Sequence, residues 1–126
     1  MRILIDTHLL LWWLADSPLL TGQGRALISN PQNTVFVSAV SLWEIWLKES
    51  LGKLRLPVHF EDRLKSESFE SLPLTAQQAR KVALLPWLHR DPFDRVLVAQ
   101  ALTENLMLLT ADASITGYGD FVILAR

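Results

Sequence analysis

Apolar and polar positions along this chain alternate between two patterns. Ile3-Leu4-Ile5 and Leu106 to Leu109 are apolar at consecutive positions, as in strands buried on both faces. Residues 34–38 (Thr-Val-Phe-Val-Ser) are β-branched and aromatic, which predicts a second strand. Glu70–Leu72 reads as a weaker strand and Phe121–Leu124 as a final one. Between them lie segments with helical spacing. Leu9–Leu14 is the first. A second runs toward Ser29, starting at Ser17-Pro18 (a cap followed by proline) or at Thr21, and stops at Asn30-Pro31. Val40 to Leu51 is a helix ending at Gly52, and His59 to Ser68 a polar one. Thr75 and Gln78 have capping-box spacing for a helix through Leu84. Asp91-Pro92-Phe93-Asp94 opens a helix that reaches Asn105, and Ala113–Ile115 is a short helical turn.

Strands alternating with helices imply an α/β fold, a parallel sheet covered on both faces. The strands at Ile3 and Leu106, apolar on both sides, belong at its centre. No repeat, linker or low-complexity tract divides the chain, so one domain over residues 1–126 is expected. Ligands of such sheets bind beyond the carboxyl ends of the strands, where strand order reverses.

Composition narrows the function. At 126 residues, half of them apolar, with a mean hydropathy of +0.23, the chain can bury a true core. The absence of cysteine rules out disulfides, thiolate metal sites and cysteine nucleophiles. It is compatible with a cytoplasmic location. Asp6 and Asp16 interrupt the N-terminal apolar stretches, so a signal peptide is not expected, and no apolar run approaches the ~20 residues that span a bilayer. A net charge of −1 argues against a broad basic face for nucleic acid, though clustered acids masked by cations would leave a mildly positive remainder. Five tryptophans are more than a small monomer needs inside, and they leave room for a self-association surface.

The candidate chemistry lies in four acids at the edges of apolar runs. Asp6 ends Ile3-Leu4-Ile5, Glu44 interrupts Leu42-Trp43-Glu44-Ile45-Trp46-Leu47, Asp94 precedes Val96-Leu97-Val98-Ala99, and Asp112 follows Leu106–Leu109 by three residues. Each has a plain structural explanation. Asp6 and Asp112 can cap helices, Asp94 suits a helix first turn, and Glu44 can pair with an arginine. Glu44 fits its explanation least, because capping does not account for a charge in mid-helix. One hard divalent cation explains all four at once. Two carboxylates ~4 Å apart repel by about 4 kcal/mol at an effective dielectric of ~20, so such a cluster needs a cation or raised pKa values. Thr7, Ser38, Ser41 and Thr110 stand next to these acids and can hydrogen-bond them. Asp91 reads as a helix cap. His8, His59 and His89 lack ligand spacing and receive no metal role, and Gly22 and Gly24 lack the rest of a phosphate loop.

Four ordered stretches then resemble a known family. Leu4-Ile5-Asp6-Thr7-His8-Leu9-Leu10-Leu11-Trp12-Trp13 is similar to the opening of PIN-domain proteins. Ser38-Ala39-Val40-Ser41-Leu42-Trp43-Glu44-Ile45, His89-Arg90-Asp91-Pro92-Phe93-Asp94-Arg95 and Leu108-Leu109-Thr110-Ala111-Asp112 resemble its second, third and fourth motifs. The resemblance implies a three-layer α/β/α sandwich with a central parallel sheet. It also implies a Mg²⁺- or Mn²⁺-dependent endoribonuclease, most often a VapC-type toxin with an RNA substrate, a cognate antitoxin and a homodimeric state. Carried over, Asp6, Glu44, Asp94 and Asp112 fall on the acidic metal-site and catalytic positions. Asp91 matches an extra acid, Thr110 the hydroxyl before the last acid, and Thr7 a supporting position. A weakly catalytic interaction protein and a metal-dependent DNA or flap nuclease are the alternatives. An aspartyl phosphatase would want a second aspartate where His8 stands.

Overall fold

The computed structural model describes residues 1–125; Arg126, part of the expected domain, lies outside the described residues. Five strands form one all-parallel sheet: β1 Arg2–Ile5, β2 Thr34–Ser38, β3 Glu70–Leu72, β4 Met107–Thr110 and β5 Val122–Leu124, in the spatial order β3-β2-β1-β4-β5. The helices are α1 Thr7–Leu14, α2 Gly22–Ser29, α3 Ala39–Ser50, α4 Phe60–Ser66, α5 Ala76–Leu84 and α6 Pro92–Glu104, with a 3₁₀ turn over Ala113–Tyr118.

Strand alternation sorts the core into two halves. Ile3, Ile5, Val35, Val37 and Leu109 face one side, packed with Leu9, Leu10, Leu14, Ile28, Ile45 and Phe60 from α1 to α4. Leu4, Leu72 and Leu108 face the other, packed with Leu97, Val98 and Ala101 of α6 and with Leu85 and Ile115. Two apolar clusters separated by one sheet are the three layers expected. β1 is paired on both edges, Ile3 with Val35 and Ile5 with Leu109, which explains why Ile3–Ile5 carries no polar position. Strand order reverses between β1 and β4.

The structure corrects several boundaries. The second helix starts at Gly22 after Thr21, and Ser17-Pro18 does not open it. The Ser17 hydroxyl instead accepts from the Leu19 N–H at 3.2 Å, while Arg25 donates back to the carbonyls of Ser17 and Leu20. The first helix begins at Thr7, since Asp6 caps it, and the polar helix is shorter, ending at Ser66. The capping box at Thr75 and Gln78 forms as the spacing requires, and α6 ends at Asn105 in the left-handed conformation (φ 56°) that asparagine tolerates. None of the tryptophans is fully buried, and Trp43, Trp46 and Trp87 are exposed. Among the described residues no helix is long and apolar enough to cross a membrane.

Candidate metal centre

The carboxyl ends of β1 and β4 bring Asp6 and Asp112 to the walls of one crevice. Asp6 follows Ile5 and caps α1: its Oδ1 accepts the Leu9 N–H at 2.9 Å, and its Oδ2 accepts the Thr110 hydroxyl at 2.5 Å from the neighbouring strand β4. Its own N–H donates to the Leu109 carbonyl, locking the residue to the β1–β4 junction. Asp6 is buried, and that burial pushes its carboxyl up from the usual range. The Thr110 and Leu9 hydrogen bonds and nearby His8 oppose the shift, while the Asp112 charge adds to it.

Asp94 occupies the first turn of α6. Burial raises its pKa to about 6, helped by the charges of Asp91 and Asp6 and opposed by a hydrogen bond to His89. Asp112 caps the 3₁₀ turn and is half exposed. Its pKa is lowered, first by the Ser114 hydroxyl that donates to it at 2.6 Å. Asp91 is a helix cap: its Oδ1 accepts the N–H groups of Phe93 and Asp94 at 2.8 and 3.1 Å. Helix N-termini at Asp6 and Asp94 lend partial positive charge to the crevice, yet not enough to hold both acids in their ordinary range.

Glu44 is buried on α3, outside the grouping of His89, Asp94 and Asp112. The Thr7 hydroxyl donates to Ser41 at 3.0 Å, tying α1 to α3 one turn ahead of Glu44. The sequence left arginine as its structural partner; the partner is Lys48, one turn on, whose Nζ donates to Oε2 at 2.5 Å. That hydrogen bond is the main cause of the raised Lys48 pKa, and the charges of Asp91 and Asp94 add to it, so the ammonium lies within their field. The other oxygen, Oε1, is buried and has no hydrogen-bond partner among the described residues. An unmet buried acceptor beside several acids suits a bound cation. Ser38 serves elsewhere, donating to Gln100 at 2.6 Å and capping α3.

His89, to which the sequence assigned no role, stands inside the cluster. Its Nε2 lies 2.8 Å from Asp94 Oδ2 and 3.9 Å from Asp112 Oδ2, and its Nδ1 lies 3.0 Å from the Ser114 hydroxyl. One donor atom each from His89, Asp94 and Asp112 come within 4.8 Å of one another, close enough to share an ion. The Ser114 hydroxyl, which donates to Asp112, thus links His89 to the same acid. The spacing of five residues to Asp94 and 23 to Asp112 gave no sequence signal. His59 lies away from the cluster, against Asp62.

The raised carboxyls give this site a pH signature without metal. Between the ordinary 3.8 and about 6, folded Asp94 binds more protons than the unfolded chain, so stability falls as pH rises through that window. Asp6 acts in the same direction. In EDTA the stability should therefore fall by roughly 2 kcal/mol between about pH 4 and about pH 7, after allowance for solvent screening, and the melting temperature with it. Added Mg²⁺ should restore it at the higher pH only, and Asp94→Asn should flatten the profile. Equal wild-type and Asp94→Asn slopes in a thermal melt would contradict the burial argument.

Comparison with known proteins agrees with this architecture. The PIN domain profile matches residues 3–119. Ribonuclease VapC22 of Mycobacterium tuberculosis is 28% identical over 113 residues, 87% of this chain and 86% of that protein. VapBC2 from Rickettsia felis, bound to a DNA fragment from its promoter, superposes with a TM-score of 0.72 at 17% identity, covering 98% of this chain and 97% of that one. A toxin–antitoxin complex from Klebsiella pneumoniae gives 0.68 at 19% identity, covering 98% of both chains. VapBC-1 from nontypeable Haemophilus influenzae gives 0.64 at 16%, again over 98% of both.

Proposed function

The chain belongs to the PIN domain family, and from that premise we propose that it is a Mg²⁺- or Mn²⁺-dependent endoribonuclease, a single nuclease domain acting as the toxin of a toxin–antitoxin pair. What supports this reading is the grouping of His89, Asp94 and Asp112, the charge coupling of Asp6 to Asp94 and Asp112 beside the β1–β4 switch point, and the unmet buried acceptor on Glu44. Those four residues, with His89 beside Asp94, are the groups that would hold the metal. A bound divalent ion supplies a water of lowered pKa and neutralises charge on the phosphate.

The rest of the work falls to the protein's own side chains. Thr110 and the Leu9 N–H fix both oxygens of Asp6, so its carboxylate keeps one orientation. Asp91 holds the first turn of α6 and with it the position of Asp94. Lys48 neutralises Glu44 in the metal-free protein and, being partly exposed, stands where it can meet a substrate phosphate.

A ribonuclease name on the sequence relative and toxin–antitoxin complexes among the fold relatives support RNA as substrate and a protein antitoxin as partner. Exposed Trp43 and Trp46 on α3 suit contact with a second copy or that partner. The expected place of action is the cytoplasm.

The test is incubation of the purified chain with end-labelled single-stranded RNA, and DNA of the same sequence, in Mg²⁺, Mn²⁺ or EDTA. RNA cleavage leaving 5′-phosphate and 3′-hydroxyl ends, lost in EDTA and regained with Mn²⁺, is expected. Cleavage that persists in EDTA, or that is confined to DNA, would refute the reading.

A further inference from the structure

We propose that the cavity beside Asp6 and Asp112 seats one unpaired nucleobase of the RNA strand, stacked on one ring of the His8–Trp12 pair and edge-on to the other; the inference rests on the ribonuclease reading above. The cavity measures about 380 Å³ and is lined by Asp6, His8, Trp12, Ala111, Asp112 and Ala113. That volume lies at the small end of ligand sites, about 300–1,000 Å³. It is room for one nucleotide rather than for a duplex.

The walls have the right chemistry. His8 and Trp12 are one turn apart on α1, so their rings share a helix face, with centroids 6.3 Å apart and planes tilted by 54°. Trp12 packs against the core and stays half-buried, while His8 is exposed. Ala111 and Ala113 also line the cavity, and their short side chains take up little of it. Two acids of the candidate metal site form the remaining wall, so a base seated here lies next to the phosphate at that site.

Charge argues for a base in this slot. A chain of net charge −1 offers little excess positive charge for the RNA backbone. Stacking of unpaired bases on aromatic rings adds affinity that does not depend on charge, without a strong sequence preference. A base presents a neutral face to the rings and leaves the carboxylates of Asp6 and Asp112 to the candidate metal site.

The test is fluorescence polarisation of a labelled, unstructured RNA, and of a hairpin of the same composition, with the full chain in Ca²⁺. It compares wild type, His8→Ala, His8→Phe, Trp12→Ala and Trp12→Phe, each checked for fold by circular dichroism. Single-strand binding by the wild type, weakened about tenfold in the alanine variants and retained in the phenylalanine ones, is the expected result. His8→Ala carries the test if Trp12→Ala fails to fold. Hairpin binding as tight as single-strand binding, single-strand affinity untouched by His8→Ala, or no binding by the wild type would overturn the proposal. Turnover in Mn²⁺ is scored separately: binding with this pattern but no cleavage would count against the ribonuclease reading and leave the base seat standing.

Discussion

Asp6→Asn is expected to abolish RNA cleavage, by a factor on the order of 10³, while the metal-free protein becomes more stable. The two halves follow from one fact. Asp6 is buried, and folding holds its carboxyl above the usual range, so at neutral pH the ionised side chain opposes the folded state until a cation joins it. Asparagine keeps the shape and the oxygen that accepts the Leu9 N–H. It removes the charge, and with it both the internal penalty and the affinity for the ion. Thermal melts in EDTA and single-turnover cleavage of labelled RNA measure the two effects. A variant that cleaves normally, or one that melts well below the wild type in EDTA, would show that Asp6 is a structural cap and nothing more.

Arg95→Ala should give the largest loss of stability in the molecule, about 3–4 kcal/mol, or roughly 10 °C in melting temperature. Arg95 is buried and meets no carboxylate among the described residues. Its guanidinium donates instead to the carbonyls of Val82, Leu85 and Pro86 at the end of α5 and to the Tyr118 hydroxyl. It also lies 3.8 Å from the centre of the Trp87 ring. Alanine leaves those carbonyls unmet and loosens the turn that carries His89. Lysine should recover little, because a point charge cannot reproduce the planar fork. Chemical denaturation of the three proteins measures the difference. An Arg95→Lys variant as stable as wild type would mean that charge alone, and not geometry, holds the turn.

Much of the fold was legible because each layer leaves its own period in the chain. Ile3–Ile5 and Leu106–Leu109 are apolar at every position since both faces of a central strand are covered. The acids were legible for the complementary reason: Asp6, Glu44 and Asp94 abut segments that should carry no charge. What escaped depends on contacts between distant residues. His89 lies in a loop, and nothing near it in the chain marks its approach to Asp112. Lys48 has the right spacing for Glu44, but (i, i+4) pairs usually lie on solvated faces, so its reach into the acid cluster was hidden. The burial of Arg95 has no sequence signal, because the carbonyls that receive it have no signature in side-chain type. Ser17-Pro18 looked like a helix start, yet Arg25 draws that stretch into a turn and leaves Thr21 to begin the helix.

The hydrogen bond between Thr110 and Asp6 joins residues 104 positions apart. On a ribosome adding about 5–20 residues each second, the first strand therefore waits roughly 5–20 seconds for its inner neighbour. Until β4 emerges, Asp6 lacks the Thr110 hydroxyl that orients it and Asp112 has not been made, so the crevice between β1 and β4 is among the last parts of the molecule to form.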